Sequence, residues 1–148
     1  MKNTIFSIVL AGAFLGGTLP AANGSDGNKD TTKNQMIVKI GEKTFTATLA
    51  DNATATAFKA MLPLTLTMGD LNDNEKVVRL SADLPADDAN PGRIHAGDLM
   101  IWTSRSLVLF YKTFPTSYSY TRLGRINDAS GLSAAVGSGK ATVTFELK

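Results

Sequence analysis

The stretch Ile94–Trp102, IHAGDLMIW, holds the only histidine and the only tryptophan in the chain. His95 is the one side chain whose ordinary pKa lets it change charge near neutral pH. Further along, Tyr118, Tyr120 and Arg122 recur at every second residue, which on a strand sends all three to one face. Met100 and Trp102 share a face of another strand in the same way. Aromatic rings beside a guanidinium suit an extended peptide or a small ligand, because the rings bury apolar surface and the guanidinium offers donors in a fixed plane. Trp102, Tyr118, Tyr120 and Arg122 are therefore the expected ligand-binding residues of a surface groove, with His95 at its edge. Arg79 and Arg125 are weaker candidates for the guanidinium.

Other chemistries fail on spacing or on composition. A serine hydrolase would have to use His95 as base with Ser104, Ser106 or Asp98 around it, but no glycine-serine-glycine nucleophile elbow is present. In GDLNDNEKVVRLS, Asp70, Asn72 and Asn74 fit the first, third and fifth positions of a calcium loop. Glu75 then stands where glycine is needed and Ser81 where a bidentate acid is needed, so the segment reads as a turn and no metal is expected. Zinc would want several histidine or cysteine ligands and finds one histidine and no cysteine. The absence of cysteine also removes disulfides and thiol catalysis. The GSG near Gly137 follows a helix where a phosphate cradle would precede one, and no cofactor is expected.

The elements that must position these residues are mostly strands. QMIVKI and KTFTATL flank GE as a β-hairpin, with Ile37, Val38 and Ile40 opposite Phe45, Ala47 and Leu49. DNATATAFKAMLP reads as a short helix capped by Asp51 or Asn52 and ended by Pro63. LTLTM and EKVVRL are strands on either side of a turn, and LPADDANPG is a loop. DLMIW and LVLFYKTF are apolar on both faces, as expected of strands covered on both sides. YSYTRLGRI continues the sheet with a bulge or bend at Gly124. DASGLSAAVG is a second short helix, capped by Asp128 and stopped by Gly137, and KATVTFEL closes as a strand. About eight strands, two short helices and no internal repeat predict an all-β fold, a small closed barrel.

The chain has 148 residues, enough for one domain with a proper core. Residues 1–24 combine Lys2, an apolar run from Ile5 to Leu19 and small residues around Ala22 and Gly24, the pattern of a secretory signal peptide. The run is broken by Gly16, Gly17 and Pro20 and falls short of the about 20 apolar residues that span a bilayer, so no stable membrane anchor is expected after cleavage. Residues 25–34 are polar and aperiodic and read as a flexible tether, leaving 35–148 as the domain. An exported protein, periplasmic or secreted, is the expectation. The formal charge of +2, less Lys2 on removal of the leader, becomes +1, with no basic run to attract nucleic acid.

Four stretches, TATLADNATATAFKAMLPLTLTM, NPGRIHAGDLMIW, LVLFYKTFPTSYSYTRLGRI and SGLSAAVGSGKATVTFE, resemble the cyclophilin-like domain family of bacteria in order and wording. The stretches themselves run from Thr46 to Glu146, and the resemblance covers roughly Met36 to Glu146. The resemblance implies a closed eight-stranded cyclophilin-like β-barrel with two short capping helices. It also implies a possible redox protein partner, since members of this branch sit beside or are fused to flavodoxin-like domains. True cyclophilins are peptidyl-prolyl isomerases marked by arginine and phenylalanine followed by glutamine, glycine, glycine and aspartate. That run is absent here, and Gly97-Asp98 is its nearest echo. The reading is thus a binding module for a peptide or small-molecule ligand, with an isomerase centred on Arg122 as the alternative. Isomerisation would need only an apolar pocket for the ring and a guanidinium donating to the prolyl nitrogen.

Overall fold

The computed structural model describes residues 31–148. The expected leader, residues 1–24, and residues 25–30 of the expected tether lie outside the described residues. The last four residues of that tether, Thr31–Asn34, form a 3-10 turn that leads into the first strand.

Alternating apolar residues build the opening hairpin, β1 (Gln35–Ile40) and β2 (Lys43–Leu49). Met36, Val38 and Ile40 point inward with Phe45, Ala47 and Leu49, while Ile37 pairs with Thr46 on the outer side. The helix α1 (Ala53–Lys59) begins where Asn52 Oδ1 accepts the Ala55 amide at 2.7 Å, so Asn52 is the cap. Strands β3 (Leu64–Leu71) and β4 (Glu75–Arg79) follow, then the short β5 (Arg93–Ile94). The two apolar runs become β6 (Asp98–Trp102) and β7 (Ser106–Phe110). The remaining elements are β8 (Phe114–Pro115), β9 (Thr121–Ile126), α2 (Leu132–Val136) and β10 (Ala141–Leu147).

Eight strands close into a barrel in the order β1-β10-β3-β4-β7-β6-β9-β2, every neighbouring pair antiparallel, as the sequence predicts. Closure leaves the barrel itself no unpaired edge. Both helices bury apolar residues in the interior: Phe58 of α1 meets Phe145 edge to face at 5.7 Å, and Leu132 and Val136 of α2 join the same cluster. The second helix departs from expectation at its start. Asp128 Oδ1 accepts the Ser130 amide and so closes a turn ahead of the helix, whose first residue is preceded by Gly131 in a left-handed conformation.

β6 and β7 are covered on both sides, as their uninterrupted apolar character requires. Leu99, Ile101, Leu107 and Leu109 face the interior. Met100, Val108 and Phe110 face outward, where β5 and β8 pair as a separate two-stranded sheet and supply Ile94 and Phe114. The outer cluster is completed by Tyr120, whose ring meets Phe110 edge to face at 5.5 Å.

The expected bulge at Gly124 is present. Along β9 the partner shifts from Gly124 to Arg122 as β6 passes from Leu99 to Met100. A Cβ on Gly124 would sit 2.5 Å from the Thr48 carbonyl oxygen, so β2 and β9 approach there more closely than any side chain permits. Gly69, on β3, has no atom within 4 Å of the same position. Gly124→Ala should therefore lower stability by about 1–3 kcal/mol. Gly69→Ala should leave it unchanged or slightly raised. Urea unfolding of the two variants checks this; equal midpoints would show that the β2–β9 approach is not a constraint.

Candidate functional site

Two concavities lie on the outer face of β4, β7, β6 and the segment leading into β9, and they share Tyr120. The larger, about 420 Å3, runs along the outer face of β4 and β7. Its floor is Val77 and Val108, which are register partners, and its sides include Leu71, Trp102, Tyr118 and Tyr120. The smaller, about 280 Å3, is lined by Met100, Arg122, Asp87 and the other flank of Tyr120.

Each lining residue is placed by local structure. Trp102 ends β6 ahead of a tight turn in which Thr103 and Ser104 both take left-handed conformations, with φ of 50° and 67°. Thr103 Oγ1 donates to the Trp102 carbonyl at 2.7 Å. At the opposite end of the groove, Asn72 and Asp73 form the β3–β4 turn with φ of 58° and 56°, which suits their tolerance of left-handed geometry. Tyr120 is held by a reciprocal pair of backbone hydrogen bonds with Ala89, both 2.9 Å. The loop carrying Ala89 is fixed in turn by the buried Thr121, whose hydroxyl accepts the Asp87 amide and donates to Asp88.

The structure brings Trp102, Tyr118 and Tyr120 to one groove and places Arg122 in the adjoining hollow. The reason expected for this grouping needs correction. Tyr118 lies outside any strand and Tyr120 forms an isolated bridge, since β9 begins only at Thr121. The segment leaves strand geometry to cover the apolar outer face of Val108 and Phe110, and Tyr120 is buried in doing so. His95 lines neither concavity. Its backbone amide donates to Asp98 Oδ2 at 2.8 Å and its half-exposed ring stands 3.9 Å from the same oxygen. Asp98 is fully buried and also accepts Arg125 Nε at 2.9 Å, so His95, Asp98 and Arg125 form a brace at the start of β6.

The calcium-like segment is a turn whose acid is already engaged. Asp70 Oδ1 accepts Lys76 Nζ at 2.9 Å and the Tyr111 hydroxyl at 2.6 Å. The Tyr111 hydroxyl and the Lys76 ammonium hold the Asp70 carboxyl below its usual range, and burial together with Asp70 pushes the Tyr111 hydroxyl up. Among the described residues, no group of three or more histidine and acidic side chains is placed to hold a metal. No helix among them is long and apolar enough to cross a membrane.

One lining residue escapes a reading by motif. Glu75, the first residue of β4, is only 8% exposed and lines the groove beside Val77 and Tyr120. No side-chain hydrogen bond or ion pair ties it to another described residue. Burial, and secondarily the charge of Asp70, raise its carboxyl from 4.5 to about 7. The available signal was strand alternation: with Lys76 and Val78 inward, Glu75 and Val77 had to face outward.

The family model described as the cyclophilin-like family matches residues 38–146. The chain belongs to the cyclophilin-like family. Among solved structures it is similar to a hypothetical protein from Archaeoglobus fulgidus, with a TM-score of 0.53 and 18% identity over 77% of this chain and 94% of that one. That likeness is one of fold. Among curated proteins none matches significantly.

Because folding raises the Glu75 pKa, the folded state disfavours its ionised form. Stability should fall as pH rises from about 4.5 to about 7 and level off above. Between pH 5 and pH 8 the expected loss is about 2 kcal/mol, and Glu75→Gln should remove it. Urea unfolding at the two pH values measures the loss, and carbon-13 NMR of the Glu75 carboxyl locates the midpoint. A midpoint in the ordinary range near 4.5 would contradict the burial argument.

Proposed function

We propose that this chain is an exported binding domain, periplasmic or secreted, whose outer groove holds an extended peptide or small ligand. One observation carries the reading. Of the four most exposed large apolar side chains among the described residues, Leu71 at 46%, Trp102 at 45%, Tyr118 at 66% and Leu147 at 52%, the first three line the same groove. Exposed apolar residues scattered singly need no account, whereas convergence on one concavity marks a binding surface. A volume of about 420 Å3 lies within the range of small-ligand sites. The strands beneath are paired on both sides, so a ligand would be held by side chains and not by strand addition. Export rests on the pattern of residues 1–24.

A second reading, prolyl isomerisation, draws on the adjoining hollow, where Arg122 lies beside Met100 and Tyr120. It offers a guanidinium and an apolar surface, the two parts that chemistry needs, although the glutamine, glycine, glycine, aspartate run is missing.

Two-dimensional exchange NMR on a set of Xaa-Pro peptides, with and without the protein, reads binding and isomerisation together. The binding reading expects amide shifts confined to Trp102, Tyr118 and Tyr120, with cis-trans exchange left at its slow uncatalysed rate. Accelerated exchange that is lost in Arg122→Ala would establish the isomerase instead. Peptides and small apolar probes that leave every groove amide unmoved would overturn the binding reading.

A further inference from the structure

We propose that the groove takes an elongated organic cation, its ammonium group against Glu75 and its apolar body along Val77 and Val108 toward Trp102. This rests on the groove being the binding site and adds the class of ligand. The charges in the groove are unbalanced. Glu75 is more than nine-tenths buried, points into the groove, and has no cationic partner among the described residues. No lysine or arginine lines the groove. The nearest lysine in sequence, Lys76, points to the other face of the strand and is used up there. Its ammonium donates to Asp70 Oδ1 at 2.9 Å, the Gly137 carbonyl at 2.8 Å and the Gly139 carbonyl at 2.6 Å. Arg122 belongs to the adjoining hollow.

A buried carboxylate without a partner is expensive in its charged form unless a cation reaches it. The groups facing Glu75 deepen that need. Asp70 on β3 repels its charge, and Tyr111 and Tyr120 are neutral hydroxyls whose acidity the Glu75 charge weakens further. An ammonium entering from solvent would offset both the burial and the Asp70 repulsion. The aromatic faces of the groove also favour a cation over an anion.

Register sets the ligand's length. Glu75 pairs with Phe110 and Arg79 with Ser106, while Trp102 pairs with Ser106. Glu75 and Trp102 therefore stand at opposite ends of the groove, separated by four residues along the strands, roughly 13 Å, and by two strand spacings across them, roughly 10 Å. Between them the floor is the apolar pair Val77 and Val108. A charge at one end, an apolar floor and an indole at the other end fit an alkylammonium of several carbons. Either a free amine or the side chain of a lysine in an extended peptide carries that chemistry.

The test uses the intact chain and its single tryptophan, Trp102, as the fluorescent reporter. Hexylammonium should quench or shift the emission saturably, and n-hexanol, the neutral counterpart, should bind at least tenfold more weakly. With the Glu75 carboxyl at about 7, hexylammonium should bind about tenfold more tightly at pH 8 than at pH 6. Glu75→Gln should abolish both the preference for charge and the pH dependence. Titration calorimetry of the unaltered chain at pH 7, in two buffers of different ionisation heat, should show release of about half a proton per ligand. That readout stands even where the variant folds poorly. The tetrapeptide acetyl-Ala-Lys-Ala-Ala-amide, compared with its norleucine analogue, distinguishes a peptide source from a free amine; a Glu75-dependent preference for either source supports the proposal. Equal affinity for hexylammonium and hexanol, or binding indifferent to pH, would overturn the cation while leaving the groove as a binding site. No response to hexylammonium, hexanol or either peptide would remove the groove itself.

Discussion

The pleat of β4 sends Glu75 and Lys76, adjacent in sequence and opposite in charge, to opposite faces of the barrel wall. They cannot neutralise one another. Lys76 is therefore neutralised inside by Asp70 and by two carbonyls from the turn after α2, and it lies beside the Tyr111 ring, 5.2 Å from its centroid. That network ties β3, β4, the end of β7 and the approach to β10 at one end of the barrel. Removing one partner of such a buried pair is strongly destabilising, because the other charge is left uncompensated. Outside, Glu75 is left as an acid beneath a rim of aromatic and apolar side chains. A one-residue slip of β4 would exchange the two faces, placing the acid in the core and the ammonium in the groove.

The same wall has a second layer along β6 and β7. Their inward residues fill the barrel, and their outward residues need cover from β5, β8 and Tyr120. That cover stops short of Trp102 and of the outer face of Val77, and the uncovered strip is the groove. The groove and the outer core are thus one continuous apolar face, closed where Phe110, Phe114 and Tyr120 interlock and open where Tyr118 and Trp102 stand in solvent.

Most of the barrel was legible in the sequence because strand alternation and helix caps are local signals. The hairpin at Gly41, the two-sided apolar runs and the bulge at Gly124 each announce themselves within a few residues. The site was legible in part. Trp102, Tyr118 and Tyr120 were found through a two-residue spacing, yet Tyr118 and Tyr120 do not lie on a strand. They converge because the segment covers the outer face of Phe110, a tertiary demand that spacing does not record. His95 stands out as the lone histidine, but in the fold it braces a strand start with Asp98. Glu75 was hidden because its role depends on which face of β4 is inward and on what lies opposite. Its place in the calcium-like spacing concerns neighbours in sequence, whereas its surroundings are set across the sheet.

The cation proposed for this groove would enter with a fixed polarity, ammonium toward Glu75 and alkyl end toward Trp102. Intermolecular nuclear Overhauser effects between hexylammonium and the isotope-labelled chain test it directly. Contacts from the terminal methyl to the Trp102 indole, and from the methylene next to nitrogen to the Tyr120 ring and the Val77 methyls, are the predicted result. Contacts in the reversed order, or to residues around Thr44 and Gly131 in the separate hollow beside α2, would contradict it.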